Sequence, residues 1–259
     1  MQDDLILEVR GAVAWVKLNR PKALNALNRP LVAALDAVIV RVAENKEIRV
    51  LVITGAGRAF CAGADLKDAM SVDPHSEEPD FLEQAASMMR RLRALPKPVI
   101  AALNGLTMAG GLELAMCADI IIAADTAEVA DGHANFGVFP GAGGAATLPR
   151  LVPLQQALYL LLTGKSVPAQ RLYDVGLIAE IHPANVLEAA ASELAQNIAQ
   201  KSPSALSRMK AVARGSSDKT ADEALHHETL MLREHLKSED MLEGVSAFVE
   251  KRTPRFTGR

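Results

Sequence analysis

The stretch PVIAALNGLTMAGGLELAMCAD, residues 98–119, decides the fold of this 259-residue chain. Up to Cys117, a single carboxylate, Glu113, interrupts an otherwise uncharged and mostly apolar run. A run of nearly this length can cross a membrane as a helix. However, a proline, an asparagine and three glycines interrupt it, and Glu113 would then lie in hydrocarbon. The sequence therefore favours a buried part of a globular core.

We predict that this stretch folds as a strand, a turn and a helix. Val99–Leu103 is a short apolar run typical of a buried strand, and Asn104–Gly105 is a turn signal. A buried helix is predicted to begin near Gly110–Gly111, and Ile120–Asp125 predicts a second buried strand. Strand, helix and strand without polar alternation indicate an α/β core.

Units of two strands and a helix recur along the chain without a strict sequence repeat. The predicted upstream elements are two short strands around Arg10–Gly11, a helix over Arg29–Glu44, a strand that ends at Gly55, a polar surface loop over Asp68–Pro79 and a helix over Asp80–Ala94. The predicted downstream elements are helices over Leu151–Thr163 and Pro168–Val175, a strand over Leu177–Ile181, a helix over Val186–Lys201, and helices from Ser202 to about Lys251 with breaks near Gly215 and Ser238.

This change of character divides the chain in two. Residues 1–200 are predicted to form the α/β core that holds the functional site, and residues 201–259 a C-terminal helical region. The C-terminal helices carry apolar residues such as Leu225, Leu232 and Leu236. These residues need cover from the core or from a neighbouring subunit.

Composition and charge exclude several classes of protein. The chain is 49% hydrophobic and 23% charged, which is typical of globular proteins. A net charge of −3 and only 3% aromatic residues argue against a nucleic-acid partner. The N-terminal MQDDLILEVR lacks the long apolar run of a signal peptide. Cys61 and Cys117 have neither metal nor disulfide spacing, so we predict a reduced, cytoplasmic protein in which both thiols are packing residues.

The familiar catalytic and metal motifs are absent from the sequence. His226, His227 and His235 lie on a charged, predicted helix, but their spacing lacks the HExxH pairing of zinc enzymes, so no metal is predicted. The sequence also contains no GxSxG, no GxGxxG after a strand and no GxxxxGK.

Two glycine-containing segments are more informative. AFCAGADLK, residues 59–67, follows the strand that ends at Gly55, and AGGLE, residues 109–113, begins a predicted helix. The start of a helix offers unpaired backbone N–H groups and a positive dipole end. Two such N–H groups that face each other would form an oxyanion hole. The alternative is that these glycines only allow close packing.

Taken together, five segments resemble the crotonase, or enoyl-CoA hydratase/isomerase, superfamily over essentially the whole chain. These segments are LNRPKALNAL, AFCAGADLK, NGLTMAGGLELAMCAD, FGVFPGAGG and AFVEKRTPRF. The resemblance implies a crotonase-like spiral of repeated β-β-α units with a C-terminal helical trimerisation region. It also implies a homotrimer or a dimer of trimers, with no membrane partner.

The resemblance implies an acyl-CoA thioester as the ligand and no separate cofactor, since coenzyme A is part of the substrate. The backbone N–H groups of Ala64 and Gly110 would form the oxyanion hole for the thioester carbonyl. The residues that match CoA-binding segments of the family are Lys22, Ala23, Leu24, Ala62, Asp65, Leu66, Lys67, Phe248 and Lys251. Phe248 and Lys251 match a segment that commonly reaches the CoA of a neighbouring subunit.

Glu113 matches the first of the two catalytic glutamates of the family's hydratases, about one helical turn after Gly110. The second glutamate lies seven residues before the proline of the PGAGG motif, and here that position is His133. Asp131 would project to the same side as His133 if the segment were extended. An imidazole can still give or take a proton near neutral pH. Alternatively, Glu113 is a structurally satisfied buried carboxylate, and His133 is a packing residue of a site with altered chemistry.

Three functions follow from this site. The first is a hydro-lyase that adds water to an α,β-unsaturated acyl-CoA, with Glu113, His133 and Asp131 as its catalytic residues. The second is a hydrolase that uses these residues on a thioester or a β-keto C–C bond; double-bond isomerisation is disfavoured, because the isomerases of the family depend on the second carboxylate. The third is a non-catalytic CoA-binding protein, against which the intact oxyanion motif argues.

Overall fold

A computed structural model describes residues 4–70 and 79–259 and shows strands and helices alternating along the first two thirds of the chain. Its strands are β1 (Leu5–Arg10), β2 (Val13–Leu18), β3 (Val50–Gly55), β4 (Ala59–Cys61), β5 (Val99–Leu103), β6 (Leu106–Met108), β7 (Ile120–Ala124), β8 (Glu128–Ala130), β9 (Val167–Pro168) and β10 (Glu180–His182). Its helices are α1 (Arg29–Glu44), α2 (Leu66–Ala69), α3 (Phe81–Ala94), α4 (Gly110–Ala115), α5 (Gly144–Leu151), α6 (Leu154–Thr163), α7 (Ala169–Asp174), α8 (Leu187–Ala199), α9 (Pro203–Ser216), α10 (Ala221–His235) and α11 (Glu239–Glu250).

The strands form two separate sheets, and successive strands along the middle of the chain are added to them alternately. The larger sheet has the order β1-β2-β3-β5-β7-β10, and the smaller sheet has the order β4-β6-β8-β9. Strands β3, β5 and β7 are parallel neighbours in the first sheet, and β4, β6 and β8 are parallel neighbours in the second. Each successive unit along the chain therefore adds one strand to each sheet, as the recurring β-β-α pattern predicted.

Burial explains why these segments adopt these elements. Every residue of β3 and of β5 is buried, which accounts for their continuous apolar runs. In α1, the buried residues recur at helical spacing and pack on the sheet. The Asn28 side chain accepts a hydrogen bond from the Leu31 N–H and so fixes the start of that helix.

Two predicted elements were wrong in their bounds. The helix predicted over Leu151–Thr163 is divided, because Val152 is extended and Pro153 cannot continue α5. The strand predicted over Leu177–Ile181 begins only at Glu180, where the chain reaches β7 and pairs with it. The polar loop predicted over Asp68–Pro79 overlaps the end of α2, and its residues 71–78 lie outside the described residues.

The C-terminal helices are joined to the core by ionic contacts. Asp119, which directly precedes β7, accepts hydrogen bonds from Lys210 at 2.7 Å and from Arg214 at 2.8 Å, both on α9. The breaks in the helical region fall where they were predicted, and the proposed division at residue 200 falls between α8 and α9. Leu225, Leu232 and Leu236 are exposed in the single chain, and a trimer that covers them stays a prediction.

Both cysteines are buried and carry no disulfide. Burial raises the pKa of Cys61 to about 12 and that of Cys117 to about 11. Both are therefore neutral thiols at ordinary pH, which supports a packing role. In the described part of the chain, no helix is both long and apolar enough to span a membrane.

Candidate active site

The predicted site residues follow three neighbouring strands of the smaller sheet. Ala64 lies shortly after β4, Gly110 shortly after β6, and Asp131 directly after β8. These strands are parallel neighbours, so their carboxyl ends meet at one edge of the sheet. In α/β proteins, ligands commonly bind at such an edge.

The Ala64 N–H is free of the local backbone pairing. The Leu27 N–H donates to Gly63 O at 2.7 Å, and the Asp65 N–H donates to Leu27 O at 2.8 Å. This parallel bridge uses the residues on either side of Ala64, so the Ala64 N–H points away from it. Gly110 is the first residue of α4, so its N–H has no acceptor within the helix.

The two N–H groups belong to segments in direct contact. A Cβ placed on Gly110 would lie 3.4 Å from Ala64 N. One placed on Gly111 would lie only 2.0 Å from Cys61 O, so a glycine at position 111 is required for α4 to approach β4 this closely. Between β6 and α4, Ala109 has a φ of +50°, a strained conformation typical of functional sites.

Glu113 is a buried carboxylate with backbone partners. Its side chain projects from α4, and only 4% of the residue is exposed. Oε1 accepts hydrogen bonds from the Ala142 N–H at 2.9 Å and from the Gly144 N–H at 2.8 Å. Glu113 thus caps the N-terminus of α5, whose own N-cap, Gly143, has no side chain for this role. Oε2 accepts no hydrogen bond from the described residues and is therefore the oxygen that a ligand could contact.

The glycine at position 144 lets Glu113 and Asp131 approach the same backbone. A Cβ on Gly144 would lie 3.2 Å from Asp131 Oδ2 and 3.3 Å from Glu113 Oε1. Such contacts are too short for an added methyl group without movement of the carboxylates. The glycine in the PGAGG motif therefore allows both carboxylates to lie next to the same backbone position.

His133, which is partly buried, and Asp131, which is fully buried, form a dyad. His133 Nδ1 lies 3.1 Å from each carboxylate oxygen of Asp131, which is 1% exposed. Nε2 is therefore the ring nitrogen available to a substrate. Burial lowers the pKa of His133, but the hydrogen bond and charge of Asp131 and the charge of Glu113 outweigh it, so the net pKa is raised from 6.5.

The backbone that brings these two residues together is not extended, so they meet by a turn rather than by the alternation of a strand. Gly132 has a φ of +72°, and a 3-10 turn begins at His133. The turn carries the imidazole back over Asp131. The Asn135 side chain donates to Gly164 O at 2.9 Å and fixes this turn on the end of α6.

The predicted CoA segments in the N-terminal part adjoin each other. Lys22 and Ala23 lie in a 3-10 turn, and Leu24 follows with a φ of 52°. Leu24 O accepts the N–H of Ala62 at 3.0 Å. Lys22, Leu66 and Lys67 are exposed, whereas the Asp65 carboxylate pairs with Arg20 at 3.1 Å and so serves the scaffold.

The structure places Phe248 and Lys251 elsewhere. They lie at the end of α11, where Phe248 is 85% exposed and borders an apolar groove of about 520 Å³ between α9 and α11. Their contact with CoA stays a prediction. A further cavity of about 720 Å³ lies between α1 and α3, and it has neither Glu113 nor His133 in its lining.

In residues 4–70 and 79–259, the histidines, cysteines and carboxylates form no group of three that could hold a metal ion. The sequence analysis did not identify the Ala142 and Gly144 N–H groups, because it used the PGAGG segment only as a family motif. It also gave no role to Asn25, although an asparagine in a mostly apolar run is a signal that can be read.

Comparisons with known families, proteins and structures agree with the resemblance found in the sequence. The family model described as enoyl-CoA hydratase/isomerase matches residues 8–259. The chain is 36% identical to a probable mitochondrial enoyl-CoA hydratase of Dictyostelium discoideum, over 95% of this chain and 88% of that protein. It is also 36% identical to the 1,2-epoxyphenylacetyl-CoA isomerase of Escherichia coli over the full length of both. The crystal structure of an enoyl-CoA hydratase from Bacillus anthracis aligns with a TM-score of 0.93 at 33% identity and covers 99% of this chain and 100% of that chain.

Proposed function

The chain belongs to the enoyl-CoA hydratase/isomerase family of the crotonase superfamily, and from that premise we propose that it adds water to an α,β-unsaturated acyl-CoA thioester. Membership, together with the crotonase fold, makes it an acyl-CoA-acting enzyme. The hydration reaction is the finer proposal. It depends on one observation, the meeting of two free N–H groups with Glu113 and the Asp131–His133 dyad at one edge of the smaller sheet.

In this proposal, the oxyanion hole drives the first half of the reaction. The N–H groups of Ala64 and Gly110 hold the thioester oxygen, and they stabilise it most strongly when it carries the negative charge of an enolate. Glu113 takes a proton from a water molecule, and the water oxygen forms a bond to Cβ. The electron pair of the C–C double bond moves through Cα and the carbonyl carbon onto the thioester oxygen.

The second half of the reaction needs an acid at Cα. Here we assign that role to His133 in its imidazolium form, with Nε2 as the donor atom. The enolate collapses, Cα takes the proton from Nε2, and water has been added across the double bond. Glu113 is left protonated and His133 neutral, so exchange of one proton with solvent restores the starting state. The raised pKa of His133 supports this role, because it favours the protonated form.

A second candidate function is favoured by the geometry of the dyad. Asp131 contacts Nδ1 of His133 with both oxygens, an arrangement that also orients an imidazole as a general base. A neutral His133 could then direct water onto a carbonyl and cleave a thioester or a β-keto C–C bond. This hydrolase would use the same oxyanion hole but the opposite protonation state of His133.

The proposal predicts turnover of an enoyl-CoA. The purified chain is incubated with a panel of 2-enoyl-, β-keto- and saturated acyl-CoAs, and the products are followed by mass spectrometry. We expect a product heavier by one water from at least one enoyl-CoA, with its thioester intact. Release of free CoA, or cleavage of the β-keto compounds, would favour the hydrolase instead. Failure of calorimetry to detect binding of any member of the panel would contradict acyl-CoA as the ligand.

A further inference from the structure

Asn25 is a fully buried polar residue in an unusual backbone conformation. It has 0% exposure and a φ of +57°, directly after Leu24, which also has a positive φ. Asparagine tolerates this left-handed conformation better than most residues. Two consecutive residues with positive φ are costly and persist only where the surroundings hold them. Neither the Glu113–His133 chemistry nor the CoA contacts explain why an amide is buried here.

The side-chain amide of Asn25 joins two parts of the chain. Its Oδ1 accepts the Arg20 N–H at 2.9 Å, within its own turn. Its Nδ2 donates to Ala56 O at 3.0 Å and to Ala59 O at 2.7 Å, where the chain passes from β3 to β4. This one amide therefore fixes the turn over residues 20–25 against the start of the strand that leads to Ala64.

The segment directly after Asn25 pairs with the oxyanion segment. Leu27 donates its N–H to Gly63 O and accepts the N–H of Asp65, which leaves the Ala64 N–H pointing to the site. Arg20 adds a second link, since its guanidinium donates to Ala26 O at 2.5 Å and to the Asp65 carboxylate at 3.1 Å. The direction of the Ala64 N–H is thus set by the position of the 24–27 segment.

We propose that Asn25 is a positioning residue for the oxyanion hole, whose amide sets the direction of the Ala64 N–H. This inference rests on the proposed function, because it presumes that the Ala64 N–H receives the thioester oxygen. Asn25 touches no reacting atom and acts only through the 24–27 and 62–65 segments. Donor direction matters because a misplacement of about 1 Å can cost about 10²-fold in rate.

The test uses a variant that keeps the backbone and removes the amide. Asn25→Gly retains the positive φ, so it removes the hydrogen bonds without adding backbone strain. The matched control is Asn104→Ala. Asn104 also donates to Ala59 O, at 3.2 Å, and accepts the Gly55 N–H at 2.8 Å, but in the described part of the chain its side chain makes no hydrogen bond to residues 20–28. Some loss of stability is expected in both variants, whereas loss of donor direction is expected only in Asn25→Gly.

The readout is the carbonyl stretching frequency of bound butyryl-CoA labelled with ¹³C at its thioester carbonyl. In the wild type, two N–H donors should lower this frequency relative to free ligand. We expect Asn25→Gly to lose much of that shift and to lower kcat by about 10- to 100-fold, since a complete loss of one oxyanion donor costs about 10²–10³. Asn104→Ala should keep the shift and a kcat within a few-fold of wild type.

The outcomes separate this inference from the proposed function. If wild type gives no shift, the oxyanion hole itself is wrong. If wild type and Asn25→Gly give the same shift and kcat, the hole stands and Asn25 has no positioning role. If Asn25→Gly does not fold, Asn25→Asp serves in its place, because it retains the acceptor for the Arg20 N–H and replaces the donor to Ala56 O and Ala59 O with an oxygen that those carbonyls repel. An unchanged shift in that variant also overturns the inference.

Discussion

Replacing Glu113 with glutamine is expected to lower kcat by about 10²–10⁴-fold while leaving the fold intact, since this is the usual contribution of a general base. Glutamine keeps a side-chain oxygen that can accept the Ala142 and Gly144 N–H groups, so the start of α5 remains capped. Oε2, however, becomes an amide nitrogen and can no longer take a proton from water. Affinity for acyl-CoA should survive, because the oxyanion donors belong to the backbone.

The measurement is steady-state turnover of the best enoyl-CoA of the panel, together with calorimetric affinity and melting temperature. Glu128→Gln is the matched control, because Glu128 is an exposed carboxylate at the start of β8 and contacts Ser166 rather than the site. The control should behave as wild type. Unchanged turnover in Glu113→Gln would reduce Glu113 to its structural role at α5.

The second large effect is expected at His133. His133→Ala removes the proposed acid at Cα and should lower kcat by about 10²–10⁴-fold. Because the N–H groups of Ala64 and Gly110 are untouched, affinity for acyl-CoA should change little. His133→Glu would recreate the pair of carboxylates that hydratases of the family use, and it should hydrate a short enoyl-CoA faster than His133→Ala.

The pH dependence of kcat shows whether His133 acts as an acid or as a base. The folded-state pKa of His133 is raised from 6.5, so the imidazolium is present below that raised value and is lost as pH increases through it. If His133 is the acid, kcat should fall on the alkaline side, with a limb above about pH 6.5. If it is the base of a hydrolase, kcat should instead rise through the same limb.

Two variants test the assignment of that limb. His133→Ala should abolish it, and Asp131→Asn should move it to lower pH, because the carboxylate that raises the pKa has been neutralised. Asp131→Asn should retain more activity than His133→Ala, since the Asp131 carboxylate only orients the imidazole and does not touch the substrate. An unchanged limb and normal turnover in His133→Ala would show that the imidazole only packs against Asp131.

The apolar stretch at 98–119 carried enough information to predict the centre of the fold. Val99–Leu103 forms β5, and a helix does begin at Gly110 with Glu113 on it. The strand could be predicted because burial on all sides requires an unbroken apolar run. Glu113 stood out because a buried carboxylate costs free energy unless it has partners or a functional role. The resemblance then associated Glu113 with chemistry and Gly110 with an oxyanion donor.

The short strands and the tertiary contacts could not be predicted in the same way. β6 and β8 have three residues each, too few for a periodic pattern, and they are strands only because neighbours in the sheet pair with them. The N–H groups that hold Glu113 come from residues about thirty positions later in the chain. Such contacts leave no local pattern, so only the folded chain reveals that Glu113 also caps α5.

The dyad illustrates the same limit at closer range. Asp131 and His133 were expected on one side of an extended segment, and they do meet, but through the left-handed turn at Gly132. Alternation in a strand and a tight turn can bring the same pair together. The sequence therefore indicated the neighbours, while the turn at Gly132 sets the 3.1 Å contacts that raise the pKa of His133.

The central claim is that this chain adds water to the double bond of an enoyl-CoA, and its most direct test follows the oxygen atom of that water. A four-carbon 2-enoyl-CoA is incubated with the wild-type chain in H₂¹⁸O, and the products are fragmented in a mass spectrometer. The account predicts one ¹⁸O atom in a β-hydroxyl group, with the CoA thioester intact. Appearance of the label in a free carboxylate together with released CoA, or an isomerised product without label, would contradict it.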